Sequence, residues 1–271
     1  MAVLCEYNDE KSGFSFMHSY TKSAQLSHFA LHNHNENSEI LIFLKGSGVF
    51  RVEGSEYFPK PWDIIIANSN EMHKMCIENG TEYERYVINI DDSFFLKNNC
   101  SEFMDIFRNR PLGENNLIKA DEEIQNVVNK LQKYIQENAP EVVLRGLLVE
   151  LLYLMRKKAD KPSVQLSAEA HIKNVIIYIN ENIRSPLTLD GIAEKFFINK
   201  YYLCHIFRRH TGLSINKYIN YKRLLLAREL YSDGMSLTDA SAEAGFCNYS
   251  SFYKVYRREF ASSPRDDLKS R

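Results

Sequence analysis

The 271-residue sequence has no apolar run near the ~20 residues that a membrane-spanning helix needs. Its first residues, Met1 to Asp9, also lack the basic and then apolar pattern of a secretory signal peptide. From these two absences we expect a soluble protein of the cytoplasm that has no membrane partner.

Cysteine is scarce, and its spacing indicates no framework. None of the five cysteines belongs to a Cys-x-x-Cys pair, and an odd number does not suggest a set of disulfides. They are Cys5, Cys76, Cys100, Cys204 and Cys247. Reduced thiols are the expected state in a cytosol, so neither a zinc ribbon nor a disulfide-stabilised fold is indicated.

Net charge is nearly absent, at −1, but the two halves of the chain differ. Residues 162–271 hold 16 Lys and Arg against 11 Asp and Glu, whereas residues 1–161 hold 18 against 24. From Lys195 to Arg228 there are eight basic residues and no acidic one. Such a segment can attract a phosphate backbone, although a solvated helix face is the commoner role of a charge run.

The segment of residues 14–90 is typical of short β-strands. Alternating or short apolar stretches, such as Ile40 to Leu44 and Asp63 to Ala67, are separated by Gly, Pro and Asn without a helical pattern between them. This arrangement predicts a closed barrel or jelly roll within residues 1–100. The whole chain is therefore expected to be α+β, with flanking helices after the barrel and an all-α C-terminal domain.

Residues 101–160 are typical of two amphipathic helices. The first begins after Asp121, a good N-cap residue, and the second follows Pro140, so a short turn makes them an antiparallel pair. The pair can cover the barrel, and the leucine-rich second helix can also form a homodimer interface; both roles stay open. Residues 161–167 then predict a linker to a domain of residues 168–271.

The C-terminal domain contains one pattern twice, with an offset of 49 residues. The matched pairs are Asp190–Glu194 with Asp239–Glu243, Phe197 with Phe246, Asn199 with Asn248, and Ser214 with Ser263. Each copy predicts a short helix, a tight turn and a second helix with a basic end. Thr188 can cap the first helix of the first copy, and Asn199 and Asn248 can cap the second helices. This is the helix-turn-helix arrangement, in which the second helix enters the major groove of DNA.

The two predicted recognition helices each have an apolar face and an outer face. In the first, Leu203, Ile206 and Phe207 have the spacing of a buried stripe. The outer faces are the candidate DNA-binding sites: Lys200, Tyr201, Cys204, His205 and Arg208 in the first copy, and Tyr249, Ser250, Ser251, Tyr253, Lys254 and Arg257 in the second. A long helix from Asn216 to Tyr231 would hold the two copies at the spacing of successive major grooves, ~34 Å.

Residues 187–264 resemble the DNA-binding domain of AraC/XylS-type bacterial transcription regulators. The resemblance rests on Leu187–Glu194, Leu203–Gly212, Gly245–Phe252 and the continuation through Lys254–Arg258 to Ser263–Pro264. It implies double-stranded DNA and RNA polymerase as partners, and activation rather than repression. The chain departs from the family pattern at Gly191, where a larger apolar residue is usual, at Ile215, where Pro is common, and at Ala261, where Gly is usual.

The front half resembles a cupin barrel, the usual sensor fused to this type of DNA-binding domain. His32, His34, Glu39 and Gly46 have the spacing of the first cupin motif, and Pro61-Trp62-Asp63 followed by His73 resembles the second more loosely. Two interpretations stay open. His32, His34, Glu39 and His73 suit a divalent transition metal such as Zn, Mn, Fe or Ni, or these four residues and Trp62 line the cavity of a small organic effector, for which a carbohydrate is the default.

The leading hypothesis is a ligand-responsive transcription regulator that is not an enzyme and needs no cofactor. The alternative is a metal-dependent cupin enzyme fused to a DNA-binding module, which requires stoichiometric metal and turnover. A third hypothesis is redox sensing through Cys204 or Cys247 at the DNA face.

Overall fold

The chain folds into two compact units, Met1–Ser167 and Ala168–Arg271. The computed structural model describes residues 2–9, 11–24, 37–159, 166–167 and 170–269. The first unit combines antiparallel sheets with helices and the second is helical throughout its described part, so the α+β prediction is confirmed. No helix in the described ranges is long and apolar enough to span a membrane.

The strands of the N-terminal unit form two antiparallel sheets. The described strands are β1 (Ala2–Asp9), β2 (Phe14–Thr21), β3 (Asn37–Lys45), β4 (Gly48–Val52), β5 (Ser55–Tyr57), β6 (Asp63–Ala67), β7 (His73–Ile77), β8 (Tyr83–Asp91), β9 (Leu117–Lys119) and β10 (Leu166–Ser167). Their orders are β1-β2-β8-β3-β6-β9 and β10-β5-β4-β7. Of the two predicted arrangements, the double-sheet jelly roll fits this pairing, because the described strands do not close one sheet on itself.

Two strands come from segments for which the sequence predicted something else. Leu117–Lys119 lies in the stretch predicted to be helical, yet it pairs with β6 at the edge of the larger sheet. Leu166–Ser167 lies in the predicted linker, 161–167, yet it pairs with β5. Both satisfy backbone groups of an edge strand, which two or three residues can do without any periodic pattern in the sequence. Residues 161–165 lie outside the described part of the chain.

Side chains on the two faces of the central strands contribute to two separate apolar cores. In β3, Ile40 and Ile42 point to a core that the larger sheet shares with the helices, while Leu41 and Phe43 belong to a core with residues of β4, β5 and β7. Successive side chains of a strand point to opposite faces, so one strand contributes to both. The second core is therefore the interior between the two sheets.

The helices of the N-terminal unit are α1 (Asp92–Lys97), α2 (Asp105–Arg108), α3 (Glu122–Gln136) and α4 (Glu141–Ala159), with a 3-10 turn at Ser101–Met104. Asp121 caps α3 as predicted, because its Oδ1 accepts a hydrogen bond from the Ile124 amide at 3.1 Å. The leucines of α4 that suggested a dimer interface, such as Leu148 and Leu152, are buried in this unit's own core. The large apolar residues that α4 exposes are Val142, Val143 and Tyr153.

A buried ion pair ties two loops of the N-terminal unit together. Arg110 donates to both carboxylate oxygens of Glu71, through Nη1 at 2.7 Å and through Nη2. The same carboxylate accepts from the amides of Gly113 at 2.7 Å and Asn68 at 3.0 Å. Burial alone would raise the pKa of Glu71, but the Arg110 charge and these hydrogen bonds hold the pKa below its ordinary 4.5.

The C-terminal unit consists of α5 (Ala170–Glu181), α6 (Leu189–Lys195), α7 (Lys200–Thr211), α8 (Ile215–Ser232), α9 (Leu237–Glu243), α10 (Tyr249–Phe260) and α11 (Pro264–Lys269). The long helix predicted between the two copies is α8. It packs against α7, α9 and α10, so it holds both copies of the repeat in one unit.

Candidate DNA interface and ligand-binding interior

The sequence repeat folds into two helix pairs, α6–α7 and α9–α10. The second helix of each pair is capped by the predicted asparagine. Asn199 Oδ1 accepts from the amides of Tyr201 and Tyr202 at 2.9 and 3.3 Å, and Asn248 Oδ1 accepts from the Ser251 amide at 2.8 Å. An Asx side chain satisfies amides that have no partner inside the helix, which fixes where each recognition helix begins.

The offset of 49 residues holds for the second helices but is wrong for the first helices. α6 begins at Leu189, and α9 begins at Leu237, 48 residues later. The chain leaves each first helix through the same hydrogen bond, from the Ile198 amide to Ala193 O at 2.9 Å and from the Phe246 amide to Ser241 O at 3.1 Å.

The counterpart of Phe197 is therefore Gly245, and not Phe246 as the sequence match predicted. Both residues have left-handed backbone angles, with φ of 54° at Phe197 and 92° at Gly245. Cys247 is the residue by which the second turn is longer. The identical letters at Asp190–Glu194 and Asp239–Glu243 gave the wrong register because burial, not residue identity, sets it: Ile192 and Ala193 are buried in α6, as Ala240 and Ser241 are in α9.

The recognition helix α7 buries the predicted stripe and exposes most of the predicted outer face. Leu203, Ile206 and Phe207 are buried. Of the candidate DNA-binding residues, Tyr201 is 79% exposed and His205 and Arg208 are also exposed, while Cys204 is half-buried. Lys200 is half-buried, and its Nζ lies 2.7 Å from Asp190 Oδ1, a contact that raises the pKa of Lys200.

The recognition helix α10 has the same division. Phe252 and Tyr256 are buried in a core with α8. The predicted outer residues are exposed except for Tyr253, which is half-buried with its ring centre 6.4 Å from that of Tyr249. The exposed ones are Tyr249, Ser250, Ser251, Lys254 and Arg257. Each helix thus presents side chains with hydrogen-bond donors, either hydroxyl groups or polar rings, in its first half, and it presents a cationic side chain further along.

The basic run from Lys195 to Arg228, which could attract a phosphate backbone as one segment, does not form one surface patch. Lys222 and Arg228 are buried. The Arg223 guanidinium donates to the carbonyls of Ile183 at 2.9 Å and Ser185 at 2.7 Å, so it connects α8 to the chain after α5. Sequence counts sum charge along the chain, whereas a long helix distributes its cations to all of its sides.

The exposed cations that remain in this run lie in α6, in α7 and in the first turn of α8. They are Lys195, Arg208, Arg209 and Lys217, of which Lys217 faces Glu259 at 3.6 Å. A phosphate backbone would meet these and the α10 cations rather than the whole run.

The interior between the two sheets holds a buried acid and a buried base. Glu39 on β3 and His73 on β7 face each other with Oε1 and Nε2 3.6 Å apart, and His73 Nδ1 donates to Glu71 O at 2.8 Å. Phe50 stacks on the His73 ring at 5.5 Å. Burial alone would lower the pKa of His73, but the facing Glu39 carboxylate holds the pKa above its ordinary 6.5.

Two further polar residues of this interior were not predicted. Tyr83 and Arg85 are two residues apart in β8, so their side chains point to the same face, and both residues are buried. The Arg85 guanidinium carbon lies 4.6 Å from the centre of the Tyr83 ring. The signal was present in the sequence, because an arginine on the inward face of a predicted strand requires a polar partner or a ligand.

The predicted metal set cannot be assembled from the described residues. His32 and His34 lie outside them, and within the described part of the chain no group of three or more His, Cys, Asp or Glu could hold an ion. Glu39 and His73, the two members of the set that the structure describes, lie together as an acid–base pair. The four-residue metal site stays a prediction.

The structure does not bring Trp62 together with Glu39 and His73. Trp62 packs against the helix-side core, with its ring centre 6.4 Å from that of Tyr86. Its backbone is left-handed, with φ of 70°, and its amide donates to Phe43 O at 2.6 Å. Trp62 thus occupies the position where Pro-Gly-Asp would place glycine, and the turn points its ring to the other face of the sheet.

The comparisons with known proteins agree with both parts of this geometry. Residues 19–175 match the model described as an AraC-like ligand binding domain, and residues 192–270 match the model described as a helix-turn-helix domain. The chain belongs to the AraC family.

Among curated AraC-family relatives, the HTH-type transcriptional activator RhaS of Escherichia coli (strain SMS-3-5) is 28% identical over 148 residues, 54% of this chain and 53% of RhaS. The regulatory protein SoxS of Salmonella typhimurium is 35% identical over 102 residues, 37% of this chain and 95% of SoxS. The match thus spans about half the length of RhaS. A crystal structure of ToxT from Vibrio cholerae O395 aligns with 95% of this chain and 97% of ToxT at 14% identity and a TM-score of 0.40.

Proposed function

We propose that this AraC-family chain is a sequence-specific transcription activator whose DNA binding is controlled by a small molecule in its N-terminal unit. The observation that carries the proposal is the pair of capped recognition helices, α7 and α10, which both pack against α8 in one unit. Each exposes polar and cationic side chains and buries its apolar stripe. One relative is named a transcriptional activator and another a regulatory protein, and these names favour regulation over the enzyme alternative.

The two recognition helices are proposed to enter successive major grooves on one side of a duplex. Side chains of the first turns, such as Tyr201 and Ser250, would meet base edges, and Arg208 and Arg257 further along would meet phosphates. Selection of bound duplexes from a randomised pool by the full chain tests this directly. Recovery of one preferred sequence supports the proposal, and recovery of unselected sequences with equal affinity contradicts it.

The effector is proposed to bind in the interior between the sheets. Glu39, His73 and Arg85 provide a carboxylate, an imidazole and a guanidinium there, which suits a polar ligand such as a carbohydrate. Binding there would shift an equilibrium between DNA-competent and incompetent states. Native mass spectrometry of the full chain, with metal analysis of the same sample, tests the site: a copurified organic molecule that Glu39→Gln releases supports it, and stoichiometric Zn, Mn, Fe or Ni supports the metal interpretation instead.

Homodimerisation and contact with RNA polymerase complete the proposal. The exposed apolar residues Val142, Val143 and Tyr153 on α4 are where a second copy would pack. Sedimentation of Val143→Glu against Leu96→Glu, an exposed apolar position on α1, tests the dimer. Transcription in a purified system with RNA polymerase, with and without the chain, tests activation.

A further inference from the structure

Phe197 is the most exposed large apolar side chain in the described part of the C-terminal unit, at 97% of its full accessibility. It lies in the turn between α6 and α7, and its φ of 54° places it in the left-handed region that favours glycine. A non-glycine residue in that region is strained, and an exposed ring removes no apolar surface from water. Neither property of Phe197 stabilises the fold.

The second helix pair shows that the turn requires no side chain at this position. Gly245 is the structural counterpart, and a β-carbon there would lie 2.8 Å from Ile183 O and 2.9 Å from Arg223 Nε. Glycine is thus the residue that the second turn demands. At Phe197 the same left-handed conformation carries an aromatic ring that projects into solvent, so the two turns share the backbone conformation at this position but differ in the side chain that they present there.

Phe197 lies three residues before the start of α7, whose first turns are proposed to enter the major groove. Asn199, two residues later, caps α7, and Tyr201 in the first turn is itself 79% exposed. The exposed cations Lys195 and Arg208 belong to the two helices that the turn connects. Because these charges favour a polyanion over an apolar protein surface, the ring's partner is inferred to be DNA.

The apolar feature that a major groove offers is the C5-methyl group of thymine, which Phe can contact. We propose that Phe197 contacts a thymine methyl at the edge of the site read by α7 and so determines base choice at that position. The inference rests on the proposed function, since it requires α7 to be a recognition helix. It also makes the two helix pairs unequal, because the corresponding residue of the second pair, Gly245, lies against Ile183 O and Arg223 Nε and has no side chain.

The test uses the full chain and a duplex selected by it from a randomised pool. Each thymine of the selected site is replaced in turn by deoxyuridine, which removes the methyl group and keeps the base pairing. The wild-type chain is expected to lose about fourfold in affinity at one thymine in the half of the site bound by α7, the effect of one methyl group removed from contact. Phe197→Ala is expected to bind the thymine and deoxyuridine duplexes equally at that position.

Two variants separate this contact from an effect on folding. Phe197→Gly relieves the backbone strain and should be at least as stable as wild type, yet it should lose the thymine preference like Phe197→Ala. Phe197→Leu keeps an apolar side chain and should retain part of the preference. Phe58→Ala, which removes an exposed ring from the N-terminal unit, should leave the preference unchanged.

The remaining outcomes overturn the inference. If the wild-type chain and Phe197→Ala show the same deoxyuridine penalty at every thymine, Phe197 does not read a methyl group. If DNA binding is unchanged but Phe197→Ala loses activation with purified RNA polymerase, the ring contacts protein instead. If the wild-type chain selects no sequence at all, the proposed function itself fails, which is a different result from the first two.

Discussion

Gly212 and Ala261 occupy the same left-handed position, at the C-terminal ends of the two recognition helices. Their φ angles are 79° and 55°, and their amides donate to Arg208 O at 2.8 Å and to Arg257 O at 3.0 Å. Glycine adopts this conformation without strain, and alanine does not. Ala261, where the family usually has glycine, therefore keeps the same left-handed backbone geometry but adds strain to the folded state.

Ala261→Gly is expected to raise the free energy of unfolding of the C-terminal unit by about 1 kcal/mol, because it removes the left-handed strain of alanine. Gly212→Ala at the matched position should lower it by a similar amount. Urea unfolding followed by far-UV circular dichroism measures both. A destabilised Ala261→Gly would show that this helix end is not strained.

The Glu71–Arg110 ion pair predicts acid sensitivity of the N-terminal unit. The pKa of Glu71 is lower in the folded state than its ordinary 4.5, so its contribution to stability is present above that value and is lost as the pH falls through the folded pKa. Glu71→Gln leaves the buried Arg110 without its carboxylate and should cost about 3 kcal/mol at pH 7.

Trp62, the only tryptophan, lies in the N-terminal unit, and its fluorescence can follow this transition in the full chain. In wild type the unfolding free energy should fall as the pH drops below 4.5 toward the folded pKa of Glu71, and Glu71→Gln should show a smaller fall in the same range. An equal pH dependence in both proteins would mean that other carboxylates dominate acid unfolding.

The outer faces of α7 and α10 predict two kinds of DNA-binding defect. His205→Ala and Lys254→Ala should lose discrimination between selected and random duplexes, since both side chains are exposed on the faces proposed to meet bases. Arg208→Ala should weaken binding to all sequences alike and reduce the salt slope by about 1. Gel-shift titrations at several salt concentrations measure both effects, and unchanged binding in all three variants would refute the assignment of faces.

Arg223 offers a control for charge within the basic run. Its guanidinium donates to two backbone carbonyls, so Arg223→Ala should destabilise the C-terminal unit by about 1–3 kcal/mol. Below the melting temperature it should leave the salt slope of DNA binding unchanged, in contrast to Arg208→Ala. A reduced salt slope in Arg223→Ala would place this arginine on the DNA after all.

Local rules predicted much of the C-terminal unit from the sequence. Caps at Thr188, Asn199 and Asn248 follow from the side chains of those residues, and the buried stripe of α7 follows from helical spacing. The register of the first helices did not follow, because a coincidence of three identical residues within five positions outweighed the pattern of buried residues. The sequence also did not predict which cations of α8 are buried, since the burial of Lys222 and Arg228 depends on the elements that pack beside them.

The sequence predicted the sheets of the N-terminal unit but only part of its candidate site. Glu39 and His73 meet as expected, because their strands lie in opposite sheets. The placement of Trp62 depends on one left-handed turn residue, which no periodicity reveals. The short strands β9 and β10 satisfy edge hydrogen bonds and leave no pattern of their own.

The central claim is that α7 and α10 dock on one duplex, and a methylation-protection footprint of the full chain on its selected duplex tests it most directly. Two protected major-groove segments about one helical turn apart, on one side of the duplex, are predicted. His205→Ala should weaken protection of one segment, and Lys254→Ala should weaken protection of the other. A single protected segment, weakened by neither variant, would contradict the account.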